Sequence, residues 1–343
     1  MVNNKWCRIF IFVAFTKLVY LVDSTNILAE KLNKTFPANH ISLSPSLKSN
    51  WESNMLEFGK RACEQTKNSN QPHDTLLATT YYDAPAVFYK IADYTQDNFW
   101  KDCAEIALNI FRDNYVAVHN GKIPGYWNFT HGMLLNYQDT NNPLSLVLIN
   151  LLSHAASFAA DDTPLSSTRS SLKSREVAYA ILSYLDAEAA GYPQRIRLFS
   201  LVNQSINHLR QWQSGRSPYV RPFMVGLTMQ ALISYFERTS DRKIIKPIVN
   251  MLDWLWKHTW IKRAQAFKYT DRKTSSGGTE PAPDLNLLIA PAFAWAYHHT
   301  GLVRFRERGD QIFAGGIYKA WLQNNKQFNQ NYRWSFRYIQ YRN

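Results

Sequence analysis

Carboxylates, aromatic residues and one histidine stand at the starts of apolar stretches in this chain. Asp83 follows Tyr81 and Tyr82 and precedes Ala84-Pro85; Glu280 and Asp284 bracket Pro281-Ala-Pro283; Tyr219 and Arg221 precede Pro222. The densest cluster is Pro124-Gly-Tyr-Trp-Asn-Phe-Thr-His-Gly132, which carries Tyr126, Trp127, Asn128 and His131. Glycoside hydrolysis needs two carboxylates, one protonating the leaving oxygen and one activating water or attacking carbon. Asp83 with Glu280 or Asp284 would supply that pair. Elimination at a uronate needs a base near the sugar C5 and a group that neutralises the carboxylate. His131 or Tyr126 would serve as base, and Asn128 or Arg221 as the neutralising group. Tyr81, Tyr82, Trp127 and Tyr219 suit contact with sugar rings and hydroxyls.

Each residue also has a plainer reading. Asp83 before a proline-containing helix start suits an N-cap. The helix dipole alone favours acids such as Asp284 in a first turn. The 124–132 segment suits an aromatic loop packed into one end of a domain, and Arg221 suits pairing with a neighbouring acid. His298 and His299 close a buried helix, where bonding its last carbonyls is the natural task.

The elements that would position these groups repeat. An apolar helix, a tyrosine, a tight break and a second helix recur at Tyr89-Lys-Ile-Ala-Asp-Tyr-Thr95, Tyr235-Phe-Glu-Arg-Thr239 and Tyr297-His-His-Thr300, with a looser copy at Ala187-Glu-Ala-Ala-Gly191. The patterning predicts helices over 51–67, 83–94, 97–118, 129–138, 143–160, 172–190, 195–213, 219–238, 241–258, 283–299, 303–323 and 329–341. No alternating run closes on a two-residue turn, so the fold class is all-α. Leu285 to Trp295 and Phe223 to Tyr235 are apolar nearly all round, which predicts burial on every side. The stretches 241–258 and 303–323 carry charge on one face only. Longer loops span 119–128, 161–171 and 259–282, the second rich in serine and threonine and read as mobile.

Repeated hairpins cannot bury their apolar faces singly and must close or stack. With the Tyr-x-x-Thr break they resemble, over 50–343, the six-hairpin (α/α) toroids, a superfamily of glycoside hydrolases, polysaccharide lyases and epimerases. The resemblance implies an (α/α)6 ring of about twelve antiparallel helices, complete or one hairpin short. Inner helices would run parallel and gather the candidate residues at one rim. Tyr126-Trp-Asn-Phe-Thr-His131 looks like the aromatic-Asn-His segments of some toroidal alginate lyases; the order and spacing differ, so no catalytic role follows from it.

Lys5, Arg8 and the apolar run Ile9 to Val22 read as a signal peptide or signal anchor over 1–24, followed by a polar leader over 25–50. The expected location is therefore secreted or periplasmic, with a membrane contact only if the first segment is retained. A formal charge of +13 suits an acidic glycan partner or serves solubility alone. The cations are dispersed without a basic-aromatic motif, which argues against nucleic acid. Cys63 and Cys103 would neighbour each other on the outside of such a ring and are disulfide candidates in an oxidising compartment, with two separate buried thiols as the equal alternative. Asn33, Asn128 and Asn203 open glycosylation triplets. Nucleophile elbows, phosphate-binding glycine loops and dinucleotide fingerprints are missing, and no spacing calls for a metal or cofactor. The expectation is a carbohydrate-active enzyme acting on a polysaccharide or oligosaccharide, hydrolase slightly ahead of lyase, with a non-catalytic glycan-binding or scaffold domain as the alternative.

Overall fold

A computed structural model describes residues 42–68, 70–275 and 277–342. The signal segment 1–24 and most of the leader lie outside them. The described part is all-α: α1 Pro45–Lys67, α2 His73–Thr79, α3 Ala84–Thr95, α4 Phe99–Leu108, α5 His131–Thr140, α6 Pro143–Ala155, α7 Ser174–Ala189, α8 Arg197–Gln213, α9 Pro222–Thr239, α10 Ile245–Thr259, α11 Asn286–Thr300, α12 Val303–Lys319 and α13 Asn325–Arg342. One small hairpin, β1 Trp260–Ile261 with β2 Ala266–Phe267, pairs Trp260 with Phe267. Its two-residue strands are too short to show a period of two, which is why the 259–282 loop reads as strandless.

The threonine that closes the repeated phrase has a simple physical content. The hydroxyls of Thr95, Thr140, Thr239 and Thr300 each donate to the carbonyl four residues back, at 2.6–2.8 Å, at the last position of their helices. The next residue, Gln96, Asn141, Ser240 or Gly301, then adopts a left-handed conformation that ends the helix. Tyr137-Gln-Asp-Thr140 is thus a further copy of the phrase. A new helix starts within a few residues each time, so α3–α4, α5–α6, α9–α10 and α11–α12 are tight hairpins.

Packing follows two tracks. α3, α5, α7, α9, α11 and α13 each touch the next in that order, and α13 returns to α3. α1 packs on α13, α4 and α12, so the last long helix pairs with the first. On α11, every residue from Asn286 to Tyr297 is buried, and α9 is buried over most of Pro222–Tyr235. α10 and α12 bury one side and leave acids and bases outside, where Asp253 pairs with Arg304 at 2.9 Å and Arg308 at 2.5 Å. A Cβ on Gly226 would lie 2.8 Å from the Leu288 carbonyl, so glycine lets α9 and α11 approach at full contact.

Three sequence expectations need correction. The leader ends earlier than residue 50, because Pro45 pre-sets the first turn of α1 and Leu47, Trp51 and Met55 bury one face. α4 continues as a π-helical segment over Asn109–Ala117; within it Arg112 bonds Asn136 at 3.0 Å and Ser145 at 2.9 Å, tying α4 to α5 and α6. The 161–171 loop is pinned to α8: Gln204 and Gln211 donate to the carbonyls of Leu165 and Arg169, and His208 to that of Thr168. Among the described residues no helix is long and apolar enough to cross a membrane.

Cys63 on α1 and Cys103 on α4 form a disulfide across 5.5 Å between Cα atoms, as the sequence suggests. It closes a loop with a sequence separation of 40. Chain-entropy reasoning gives it about 2–4 kcal/mol. Cys63→Ser with Cys103→Ser should lower the melting temperature by several degrees and remove its sensitivity to reductant. An unchanged melting curve would show that the bond adds nothing.

Candidate active site

α3, α5, α7 and α13 bring together buried charges that an apolar interior would otherwise exclude. Tyr82 and Asp83 both have positive φ, 64° and 62°, immediately before α3. Two such residues in succession cost about 1–3 kcal/mol each, and such strain gathers where side chains must be aimed. Here it turns Asp83 inward. Its carboxylate accepts the Gly132 N–H at 3.2 Å and lies 3.0 Å from an Arg333 amine of α13. Asp83 therefore does not act as the N-cap expected for it; no cap bond forms. Gly132 is required at this contact, since a Cβ would sit 2.6 Å from the Asp83 carboxylate.

One step further in, His131 opens α5 and meets Asp186 of α7. Nδ1 is 3.0 Å from one Asp186 oxygen, and the Thr130 hydroxyl donates to the other at 2.6 Å. An ionised carboxylate only accepts, so Nδ1 carries the proton and Nε2 keeps its lone pair. Nε2 makes no hydrogen bond to a described residue, and the ring is 27% exposed. Burial pulls the His131 pKa below its usual value; Asp186 opposes this, and Lys90 and Arg333 reinforce it. Burial pushes the Asp186 carboxyl up, but His131, Thr130 and Arg333 outweigh it and hold the pKa low. The pair is a neutral imidazole on a carboxylate, the arrangement of a general base.

The surroundings carry both signs of charge. Lys90 donates to the Arg333 carbonyl at 3.1 Å and lies 5.6 Å from the Trp334 ring. Burial first, then Arg333 and Arg337, lower its pKa well below that of a free lysine. A recess of about 240 Å³ between α5, α7, α9 and α13 is lined by His131, Asp186, Ser234, Glu237, Arg333 and Arg337. That is below the ~300–1,000 Å³ of typical ligand pockets and suits one ring-sized polar group. Arg337 is paired with Glu237 at 3.0 Å and donates to Ser234 at 3.0 Å.

Above the carboxylates lies an aromatic layer. Tyr81 meets Tyr82 and Trp127 at 4.7 Å and Phe129 at 5.4 Å, and Phe129 meets Tyr179 at 5.2 Å. Trp127 spends its ring on Tyr81, Phe111, Tyr115 and Phe129, so it packs the loop. Tyr126 stays 38% exposed under the Arg175 guanidinium, 5.0 Å away, and makes no contact with His131. Asn128 is buried and donates to Ser183 at 3.1 Å, its side-chain oxygen has no partner, and its burial leaves no room for a glycan. Arg221 lies over Tyr219 at 5.0 Å and Tyr269 at 5.8 Å.

The second carboxylates fall elsewhere. Glu280 is exposed on the long loop, and its carbonyl accepts from Tyr269 N–H. Asp284 accepts the Trp321 N–H at 2.7 Å, which fastens the α12–α13 connection; burial raises its pKa against that bond. Neither is joined to Asp83 by any contact. His299 stacks on Trp295 and Phe236 and is held near pKa 4, chiefly by burial. Asp186, Arg333, Lys90 and Arg337 were not singled out from sequence. The usable signal was a single charge inside an apolar run, as in Ala178–Leu185-Asp186 and Val87–Tyr89-Lys90.

Among the described residues no group of His, Cys, Asp or Glu is arranged to hold a metal. No protein-family model, curated protein or solved structure matches the chain.

Removing one partner of a buried ion pair leaves the other uncompensated, at about 3–5 kcal/mol. Arg333→Met alone should therefore destabilise the fold strongly, and Asp83→Asn added to it should restore part of the loss. Denaturant unfolding of the three variants checks this; strictly additive losses would deny the coupling.

Proposed function

We propose that the helices form an (α/α)6 toroid, and that the chain is an exported carbohydrate-active enzyme that breaks uronate glycosides by base-catalysed elimination. The fold reading is supported by the cyclic contacts α3, α5, α7, α9, α11, α13 and back, with α1 completing the sixth hairpin. The single observation that carries the activity is the His131–Asp186 pair opening on a recess lined by Arg333 and Arg337.

The residues would work as follows. The uronate carboxylate lies toward Arg337, with Arg333 adding positive potential, which acidifies the C5 proton. His131 Nε2 takes that proton. The C5–H electrons become the C4=C5 double bond as the C4–O bond breaks, and the imidazolium returns its proton to the leaving oxygen. Asp186 holds the tautomer and steadies the transient cation.

Hydrolysis by Asp83 with Glu280 or Asp284 has less support. Asp83 is spent on Arg333 and Gly132, Glu280 is out on the loop, and Asp284 is bound to Trp321. A binding-only domain remains the reading if no uronate polymer is cleaved.

Purified protein on a panel of uronate polymers should release products with the absorbance of a conjugated double bond. His131→Ala should reduce the rate about 10²–10⁴-fold, while Tyr126→Phe retains most of it. Reducing ends without the absorbance would mean hydrolysis. Full elimination by His131→Ala would remove the assignment.

The pH profile adds a second check. The His131 pKa is lowered, so the imidazole stays neutral, and the base competent, to below the usual histidine value of about 6.5. The rate should fall as pH drops through that lowered value. Asp186→Asn removes the charge that raises it, so the acid limb should move lower still while turnover drops. A limb above the usual histidine value would place another group as base.

A further inference from the structure

The outer surface carries a second polar feature, remote from His131. Two recesses of about 790 Å³ and 580 Å³ adjoin along α8, sharing Leu165 and Ser200 in their walls. The 161–171 loop, pinned by Gln204, His208 and Gln211, forms the far wall.

Arg195 and Arg197 sit at the base, around the start of α8. Arg195 is fully used: it donates to the carbonyls of Ser153 and Ala159, pairs with Asp161 at 2.6 Å, and covers Tyr184 at 4.2 Å. Arg197 is not. One amine donates to the carbonyls of Thr163 and Asp161, and Nε and Nη2 are buried beside it. The Tyr184 hydroxyl, which donates to Ala159, lies within hydrogen-bonding reach of the guanidinium and is a neutral neighbour, not a counter-charge. Among the described residues no carboxylate pairs with Arg197, which is only 8% exposed. Burying a cation with no counter-charge is costly unless an anion comes to it. The first turn of α8 adds its own positive end at the same place.

The rest of the lining selects the kind of anion. Arg169 and Arg216 widen the positive charge along the second recess, against the single acid Asp161. Between them the walls are amides and hydroxyls: Asn150, Gln194, Ser200, Asn203 and Asn207. Ile196, 89% exposed, and Leu165, 42% exposed, offer apolar contact at the lip. Sparse cations among many amides suit a polyhydroxyl chain bearing occasional acid groups better than a nucleic acid, which has a phosphate at every unit and needs aromatic platforms.

We propose that this groove binds an acidic oligosaccharide, with one carboxylate or sulfate held by Arg197 and the neighbouring sugar hydroxyls by the amides. The groove would retain a polymer at the surface, and the proposal does not depend on the chemistry assigned to His131.

The test is calorimetric titration of the full chain carrying Asn203→Gln, so that no attached glycan occupies the groove. Oligogalacturonate, a heparin-derived oligosaccharide, a neutral maltooligosaccharide and short single-stranded DNA are the probes. Binding of either acidic glycan, weakening with salt and unaffected by His131→Ala, supports the proposal; the two arms tell carboxylate from sulfate. Arg197→Gln should weaken it about tenfold or more. Because Arg197 also holds the 161–163 backbone, Arg169→Ala with Arg216→Ala supplies a surface variant, which should weaken binding several-fold with unchanged circular dichroism. No acidic-glycan binding, equal binding of the neutral oligomer, tighter binding of DNA, or full affinity in both variants would overturn it.

Discussion

Arg333 reaches back across the whole sequence to Asp83, and that ion pair sets what the interior can be. It joins the last long helix to α3, in a place from which water is largely excluded. Charges there persist only when each finds a partner. Asp83 has the Gly132 N–H as well, so the pair also fixes where α5 begins. The start of α5 in turn fixes His131. The position of the imidazole against Asp186 is thus a consequence of how α13 docks on α3, and the left-handed turn at Tyr82 and Asp83 is the local cost of aiming that carboxylate inward.

The electrostatic balance around it is deliberate in its arithmetic. Lys90, Arg333 and Arg337 face Asp83, Asp186 and Glu237; burial, Arg333 and Arg337 lower the Lys90 pKa, while His131, Thr130 and Arg333 hold that of Asp186 low. Under that balance the histidine is the group left neutral, oriented and partly open to the recess. The aromatic layer of Tyr81, Tyr82, Trp127, Phe129 and Tyr179 covers the same centre from the other end and keeps the local dielectric low.

Much of the scaffold was legible because helix ends are written locally. Thr95, Thr239 and Thr300 each close a helix by bonding backward, and the apolar run of α11 announces its own burial. The interior was harder. His131 stands out beside its aromatic neighbours, but Asp186 and Lys90 are single charges in otherwise apolar periods, and periodicity reads them as noise. Arg333 lies in a tail rich in bases and aromatics, where nothing local marks it as the one that turns inward. Glu280 and Asp284 look like Asp83 from sequence, since all three precede helices and sit beside prolines. Their difference is tertiary: Trp321 takes one, the long loop carries the other outward, and only Asp83 finds an arginine.

The most direct test of the account is the tautomer of His131, read from its side-chain nitrogen resonances in labelled protein as pH is lowered. The account predicts a proton on Nδ1 and a bare Nε2 at neutral pH, with imidazolium forming only below the ordinary histidine range. A proton on Nε2, or an imidazolium at neutral pH, would contradict it.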